Sequence, residues 1–208
     1  RDVNDFTYIK VATGIGSGHI MDGEIYRGST GVAGEIGHTA IDPHGKPCIC
    51  GLRGCLVTLI GTPALLERAR ELRSEHPDSE YANGDGGIRE LEAAALRGDP
   101  LAIRVVQEAA EHLGVVVAGL LNLMNPSMVV IGGDLADVGE LLLEPLRETA
   151  RSRTLESSVA AAEIRVSELG PRSIAIGAAT LVLKDALHDS RLFPTIHVGS
   201  GVPAAEGD

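Results

Sequence analysis

The 208-residue sequence is short of cysteine, short of positive charge and without a long apolar run, and each shortage narrows what the chain can be. Its three cysteines are an odd number and all lie between Cys48 and Cys55. A disulfide-stapled scaffold does not fit that pattern; one locality demands three sulfurs. Lys and Arg number 18 against 29 Asp and Glu, a formal net charge of -11, so this stretch of chain repels polyphosphate and does not itself bind nucleic acid. The longest mostly apolar run, Leu113 to Met124, falls short of the ~20 residues a bilayer span requires, and no charged-then-apolar leader opens the sequence. The expectation is a cytoplasmic protein with no membrane contact. What is present is 44% hydrophobic content over the length of one large or two small domains, enough apolar surface for a sizeable core.

Residues 6–11 read as a β-branched and aromatic strand, followed by short strands at 19–21 and 24–27 joined by an Asp22-Gly23 hairpin turn. From 30 to 56 the sequence is rich in Gly, Pro, His and Cys with no clean period, which predicts an irregular loop held by something other than a core. A helix is predicted from Thr62, as N-cap with Pro63 at the first helical position, to about 73. A polar excursion over 76–87 precedes a second helix over 88–97. Asp99 caps the longest one, whose Ala102, Val105, Val106, Ala109, Leu113, Val116, Val117, Leu120 and Met124 keep helical spacing until Asn125-Pro126 stops it. Its apolar face reads as core, with a dimer surface over part of it as the alternative. A buried strand over 128–131 ends in Gly132-Gly133 and feeds a helix over 138–153 that Pro145 is predicted to kink. A strand over 164–169 and a helix over 173–187 follow, and the last twenty residues read as tail. The order predicts an α/β fold: a mixed sheet with helices on its faces.

The strongest chemical pattern is His38 followed by Cys48, Cys50 and Cys55 on a glycine-bearing loop. One imidazole and three thiolates satisfy a tetrahedral zinc ion and leave no open position, which describes a structural rather than a catalytic site. His44 is the competing fourth ligand. Thr13-Gly14-Ile15-Gly16-Ser17-Gly18 lies between the first two strands, where its amides can turn toward a phosphate or simply close a ligand-free hairpin. It is not a Walker loop, because it lacks the Gly-Lys-Ser/Thr ending and leads into a strand. Gly132-Gly133 sits where open α/β sheets bind ligands, at the carboxyl end of a strand, or is a plain strand-to-helix turn. His19, His76, His112 and His188 have no partners at ligand spacing and read as structural or solvated.

Taken in order, Thr13-Gly-Ile-Gly-Ser-Gly18, Asp22-Gly23, Gly34-Glu-Ile-Gly-His38, Cys48-x-Cys-Gly-x-x-Gly-Cys55 and Asn125-Pro-x-x-Val-Val-Ile-Gly-Gly133 resemble the repressor, open reading frame, kinase (ROK) family over nearly the whole chain. The resemblance implies an actin-like ATPase, or sugar-kinase, fold of two RNase H-like lobes. This chain is then the C-terminal lobe over residues 1–188, with a zinc loop at about 34–57 and a tail at 189–208. It also implies that His38 joins Cys48, Cys50 and Cys55 on zinc, and that Glu35 and His38 contact sugar hydroxyls. In members that are kinases, Thr13, Gly14, Gly16 and Gly18 meet ATP phosphates, and Gly132 and Gly133 lie on the adenosine side.

Two departures bear on activity. The family's catalytic aspartate lies in an Asn-Asp pair upstream of the first strand, and Asn4-Asp5 is too near that strand to be the pair. No carboxylate therefore stands ready in this chain to deprotonate a sugar hydroxyl. Val57 occupies the position where sugar-phosphorylating members usually carry a sugar-binding glutamate. A hydroxyl facing Val57 loses an acceptor, worth ~1–3 kcal/mol. The expectation is the sugar-sensing effector domain of a ROK transcriptional repressor, zinc-stabilised, with a small sugar or sugar phosphate as effector and a homodimeric or homotetrameric state. DNA is then contacted only through an N-terminal helix-turn-helix which, like the N-terminal lobe, is absent from this chain. The alternative is the C-terminal half of an ATP-dependent sugar kinase of the glucokinase or N-acetylmannosamine kinase type, with ATP as cofactor.

Overall fold

The computed structural model describes residues 3–83 and 86–188, and the chain divides into two compact units, Arg1–Gly170 and Pro171–Asp208. In the first unit, β1 (Phe6–Val11), β2 (Ile15–Met21) and β3 (Glu24–Tyr26) form an antiparallel meander. Alternation along β1 sends Thr7, Ile9 and Val11 inward, as the period of two requires. Asp22 and Gly23 both take positive φ, 52° and 77°, the backbone of a tight hairpin turn. Asp5 accepts from the Asp22 amide and Asn4 from the Gly23 amide, both at 2.9 Å, so this Asn-Asp pair holds the hairpin.

β2 starts four residues earlier than its composition suggests. Gly16, Ser17 and Gly18 are weak strand formers, but pairing with Lys10, Ile9 and Tyr8 of β1 overrides local preference. Beyond β3 the chain is irregular as far as Leu56, as expected. Then α1 (Val57–Ile60) and α2 (Thr62–Glu71) follow. Thr62 is not the cap of α2: Gly61 takes the extended cap position, and Thr62 enters the helix.

α3 (Ile88–Leu96) leads through Asp99 into α4 (Pro100–Met124), the 25-residue axis of the unit. The Asp99 carboxylate accepts from the Ala102 amide at 3.0 Å, and Asn125 ends α4 in the left-handed conformation with φ 46°. β4 (Met128–Gly133) then pairs parallel with β1. α5 (Glu140–Arg153) and α6 (Glu156–Ala161) intervene before β5 (Glu163–Val166) pairs parallel with β4. The sheet order is β3-β2-β1-β4-β5, a mixed sheet as the element sequence predicts. The strand expected to run to 169 ends at Val166, and the hydrogen-bonded run of α5 continues through Pro145.

Ile9 and Ile131 of the sheet, Leu113 and Leu121 of α4, and Leu146 of α5 are at most 1% exposed, so each contributes roughly 1.5–3 kcal/mol of burial. α4 and α5 approach closely at Gly114, where a Cβ would meet the Leu146 carbonyl at 2.9 Å and the Thr149 side chain at 2.7 Å. In the second unit, α7 (Ser173–His188) carries the exposed apolar side chains Ile174, Leu181, Val182, Leu183 and Leu187. The tail expected over 189–208 lies outside the described residues. Among the described residues no helix is long and apolar enough to cross a membrane.

Candidate functional site

The loop between β3 and α1 is seated on β2 by its own backbone. Gly34 accepts from the Ser17 amide at 2.7 Å and from the Ser17 hydroxyl at 3.2 Å. Its φ is +112°, and a Cβ there would collide with the Ser17 carbonyl, so glycine is required on both conformational and steric grounds. The chain then makes a short turn, Ile36–His38, with Glu35 at its cap position, packed so closely on β2 that a Cβ at Gly37 would collide with the Ile15 carbonyl. Two isolated bridges, Ala40↔Cys55 and Pro47↔Arg53, fold the rest of the loop on itself. Cys55 and Leu56 at its end are fully buried and anchor it to the core. Lys46 adds an ion pair to Glu67 of α2 at 2.7 Å, an exposed contact worth ~0–1 kcal/mol.

His38, Cys48, Cys50 and Cys55 converge, with their ligand atoms all within 4.8 Å of one another. The Cys50 and Cys55 sulfurs are 3.6 Å apart, and the Cys48 sulfur is 3.5 Å from His38 Nδ1. A tetrahedral ion with bonds of ~2.3 Å to sulfur and ~2.0–2.1 Å to nitrogen requires edges of about 3.8 Å and 3.6 Å. The four residues therefore fit one metal ion, and the competing His44 is not among them: its amide caps Asp42 at 2.9 Å. The thiols are not alike. Burial, followed by the neighbouring Cys50 and Cys48, pushes Cys55 up to about 12, whereas the exposed Cys50 is lowered, chiefly by a hydrogen bond from the Leu52 backbone. A metal ion held by these four residues would supply the positive charge that lets the buried sulfur exist as thiolate.

His38 faces two ways. Nδ1 points at the thiol cluster, while Nε2 lies 3.9 Å from Glu35 Oε2. A metal on Nδ1 leaves the Nε2–H as a donor beside a carboxylate acceptor, a pairing suited to a polyol. Glu35 is 70% exposed and so open to such a ligand. Val57, the first residue of α1, lies two residues beyond Cys55 and is partly buried against the core.

The two glycine turns meet at one end of the sheet. Lys10 and Val11 of β1 pair with Gly132 and Gly133, and Thr13 and Gly14 form the tight turn just beyond. Gly16 and Gly18 belong to β2 and stand off this turn. The segment after β4 is held from three sides. The Asp134 amide donates to Val11 at 2.5 Å, the Thr62 hydroxyl donates to Asp134 Oδ2 at 2.5 Å, and the buried Glu92 carboxylate accepts from the Leu135 amide at 2.7 Å. Thr62 also donates its amide to Ala12 at 3.1 Å, so α2 begins against both turns.

One cluster escapes a reading by linear spacing. His19 is 7% exposed and lies between the Thr7 hydroxyl, 2.9 Å from Nδ1, and the Ser17 hydroxyl, 3.0 Å from Nε2. Burial lowers its pKa and keeps it neutral. Ser17 and His19 share a face of β2 by the period of two, a weak hint, but Thr7 joins them only through the strand register.

The sequence profile of the ROK family matches residues 1–185. The xylose repressor of Caldicellulosiruptor bescii (strain ATCC BAA-1888 / DSM 6725 / KCTC 15123 / Z-1320) is 35% identical over 190 residues, which cover 89% of this chain and 47% of that protein. Among solved structures, a ROK family transcriptional regulator homologous to the Escherichia coli MLC protein superposes with a TM-score of 0.83 at 32% identity, over 92% of this chain and 48% of that one. A ROK family glucokinase from Streptomyces griseus, in complex with glucose and AMPPNP, gives 0.78 at 31% identity, over 87% and 61%. The chain spans about half the length of the curated relatives it matches.

Proposed function

The chain belongs to the ROK family, and on that premise we propose that it is the sugar-sensing effector lobe of a ROK transcriptional repressor, with zinc on His38, Cys48, Cys50 and Cys55. The observation that carries this reading is the division of His38 between the thiol cluster and Glu35. Zinc bound there leaves no open coordination position, so its role is to hold the loop. Glu35 accepts from sugar hydroxyls and His38 Nε2–H donates to them. Val57 offers no acceptor at the position where sugar-phosphorylating members carry a glutamate, which favours binding without turnover. The effector is a small sugar or sugar phosphate. The net charge of -11 speaks against DNA contact by this stretch itself, so in this reading a separate N-terminal module makes that contact and sugar occupancy shifts its affinity.

A second reading, the C-terminal half of an ATP-dependent sugar kinase, is favoured by one observation: Thr13-Gly14 and Gly132-Gly133 share the same end of the sheet. In that reading their amides receive ATP. Calorimetric titration of the full-length protein with a panel of pentoses, hexoses and N-acetylhexosamines, beside an ADP-release assay with ATP, separates the two. Sugar binding without ADP release supports the repressor. Sugar-dependent ADP release replaces it with the kinase, and absence of sugar binding across the panel overturns both.

A further inference from the structure

Thr7, His19 and Ser17 form a chain of hydrogen bonds whose direction is fixed at both ends. Thr7 is 1% exposed, and among the described residues its hydroxyl finds no acceptor other than His19 Nδ1, at 2.9 Å. A buried O–H without an acceptor is costly, so Thr7 donates to Nδ1, and Nδ1 is bare. At the other end the Ser17 hydroxyl directs its proton to the Gly34 carbonyl, at 3.2 Å, and presents only lone pairs to His19. Nε2, 3.0 Å from Ser17, therefore carries the ring proton and donates it. Both ends select the same tautomer, and burial keeps the ring neutral. With the proton on Nδ1 instead, Nε2 would become an acceptor and draw the Ser17 hydroxyl off Gly34, leaving that carbonyl only the Ser17 amide at 2.7 Å.

The peptide that follows the Gly34 carbonyl belongs to Glu35. The loop touches β2 at Gly34, on Ser17, and at Gly37, on the Ile15 carbonyl. Between these contacts Glu35 and Ile36 border a cavity of about 430 Å³, and the Glu35 side chain is 70% exposed. Packing therefore does not hold the Glu35 carboxylate; the orientation of the Gly34–Glu35 peptide does. We propose that His19, as the Nε2–H tautomer, is a positioning residue for sugar recognition: through Ser17 it locks the Gly34 carbonyl and so aims the Glu35 carboxylate beside His38. The inference rests on the sugar-sensing reading, because Glu35 is the contact it serves. It also gives a use to a buried, hydrogen-bonded imidazole at a strand position where an apolar side chain would pack without satisfying Thr7.

Full-length protein prepared without chelator tests it, with D-xylose, D-glucose and N-acetyl-D-glucosamine as probes. Long-range proton–nitrogen correlation NMR on histidine-labelled protein, with His19 assigned by the signal that His19→Gln lacks, should show a protonated Nε2 and a bare Nδ1. In calorimetric titration His19→Leu should weaken binding of whichever probe the wild type takes by roughly three- to tenfold, the worth of one hydrogen bond. His19→Gln, whose amide still donates to Ser17, should keep wild-type affinity. Ser17→Ala should match His19→Leu, and the double variant should be no weaker than either, because both remove the same link. Hydrogen exchange at the Ser17 amide, measured relative to the amides of β4, should rise in His19→Leu and not in His19→Gln, with or without sugar. A protonated Nδ1, additive losses in the double variant, or a His19→Gln as weak as His19→Leu overturns the positioning role. A wild type that takes none of the probes overturns the sugar reading alone; Ser17 exchange then decides by itself whether His19 holds the loop.

Discussion

Replacing Gly34 with alanine should unseat the loop that carries Glu35 and His38. The residue has φ +112°, so a side chain costs roughly 1–3 kcal/mol in backbone strain. The new Cβ also collides with the Ser17 carbonyl, and relieving the collision breaks the 2.7 Å and 3.2 Å hydrogen bonds that Gly34 accepts from Ser17. Each is worth ~1 kcal/mol, for a total of about 3–5 kcal/mol. If the loop lifts while the core stays folded, the loss appears in sugar affinity as roughly two to four powers of ten. If loop and core melt together, it lowers the melting temperature by about 6–20 °C at ~2–4 °C per kcal/mol. Gly31→Ala is the control, because its φ of +82° imposes similar strain while its Cβ meets nothing within 4 Å. Calorimetric titration and scanning calorimetry on both variants therefore isolate the seat itself. Should Gly34→Ala prove no worse than Gly31→Ala in both measurements, the seating argument is wrong.

Metal analysis of protein prepared without chelator should return one zinc per chain and substoichiometric zinc in Cys55→Ser; a metal-free wild type sinks the zinc assignment. Asp99→Ala should lower the melting temperature by about 4–16 °C, because it removes the cap of α4 and the hydrogen bonds that the carboxylate accepts from the Ser79 hydroxyl and the Tyr81 amide, ~2–4 kcal/mol in sum. His19 supplies a pH dependence with a definite sign. Burial holds its folded pKa below the ordinary imidazole value of 6.5, so below that pH the unfolded chain takes up a proton that the folded chain resists. Stability contributed by neutral His19 is present above pH 6.5 and declines as pH falls toward the folded value. A His19→Gln variant should show a shallower loss of melting temperature between pH 7 and 5, and an unchanged slope would refute the assignment.

Much of this architecture is legible in the linear sequence where short-range chemistry decides it. Asp99 and Asn125-Pro126 mark both ends of α4, and Asp22-Gly23 marks its hairpin, because capping and turn geometry involve neighbours. The convergence of His38 with Cys48, Cys50 and Cys55 is legible because three sulfurs in eight residues have few other uses. What stays hidden is set by register and distance. The start of β2 depends on pairing that overrules Gly16 and Gly18, and α1 and α6, of four and six residues, are too short to show a helical period. Thr62 resembles an N-cap locally, but its hydroxyl is taken by Asp134, 72 residues away. Thr7, Ser17 and His19 likewise meet only once β1 and β2 are in register.

That displaced threonine ties α2 to two regions at once. Its first residue is fastened to Ala12 and Asp134, beside the two glycine turns, and near its far end Glu67 and Glu71 reach Lys46 in the loop of His38 and the three cysteines. The helix is ten residues long, about 15 Å at 1.5 Å per residue, and packs against α4 as a rigid rod between the two regions. The helix thus reaches from the glycine turns to the loop of Glu35 and His38, firmly held at its first residue and joined at the other end only by an exposed ion pair worth ~0–1 kcal/mol. Insertion or deletion of even one residue in α2 would rotate its two ends against each other by about 100°. The length and phase of α2 therefore decide whether Thr62 can meet Ala12 and Asp134 while Glu67 and Glu71 face Lys46.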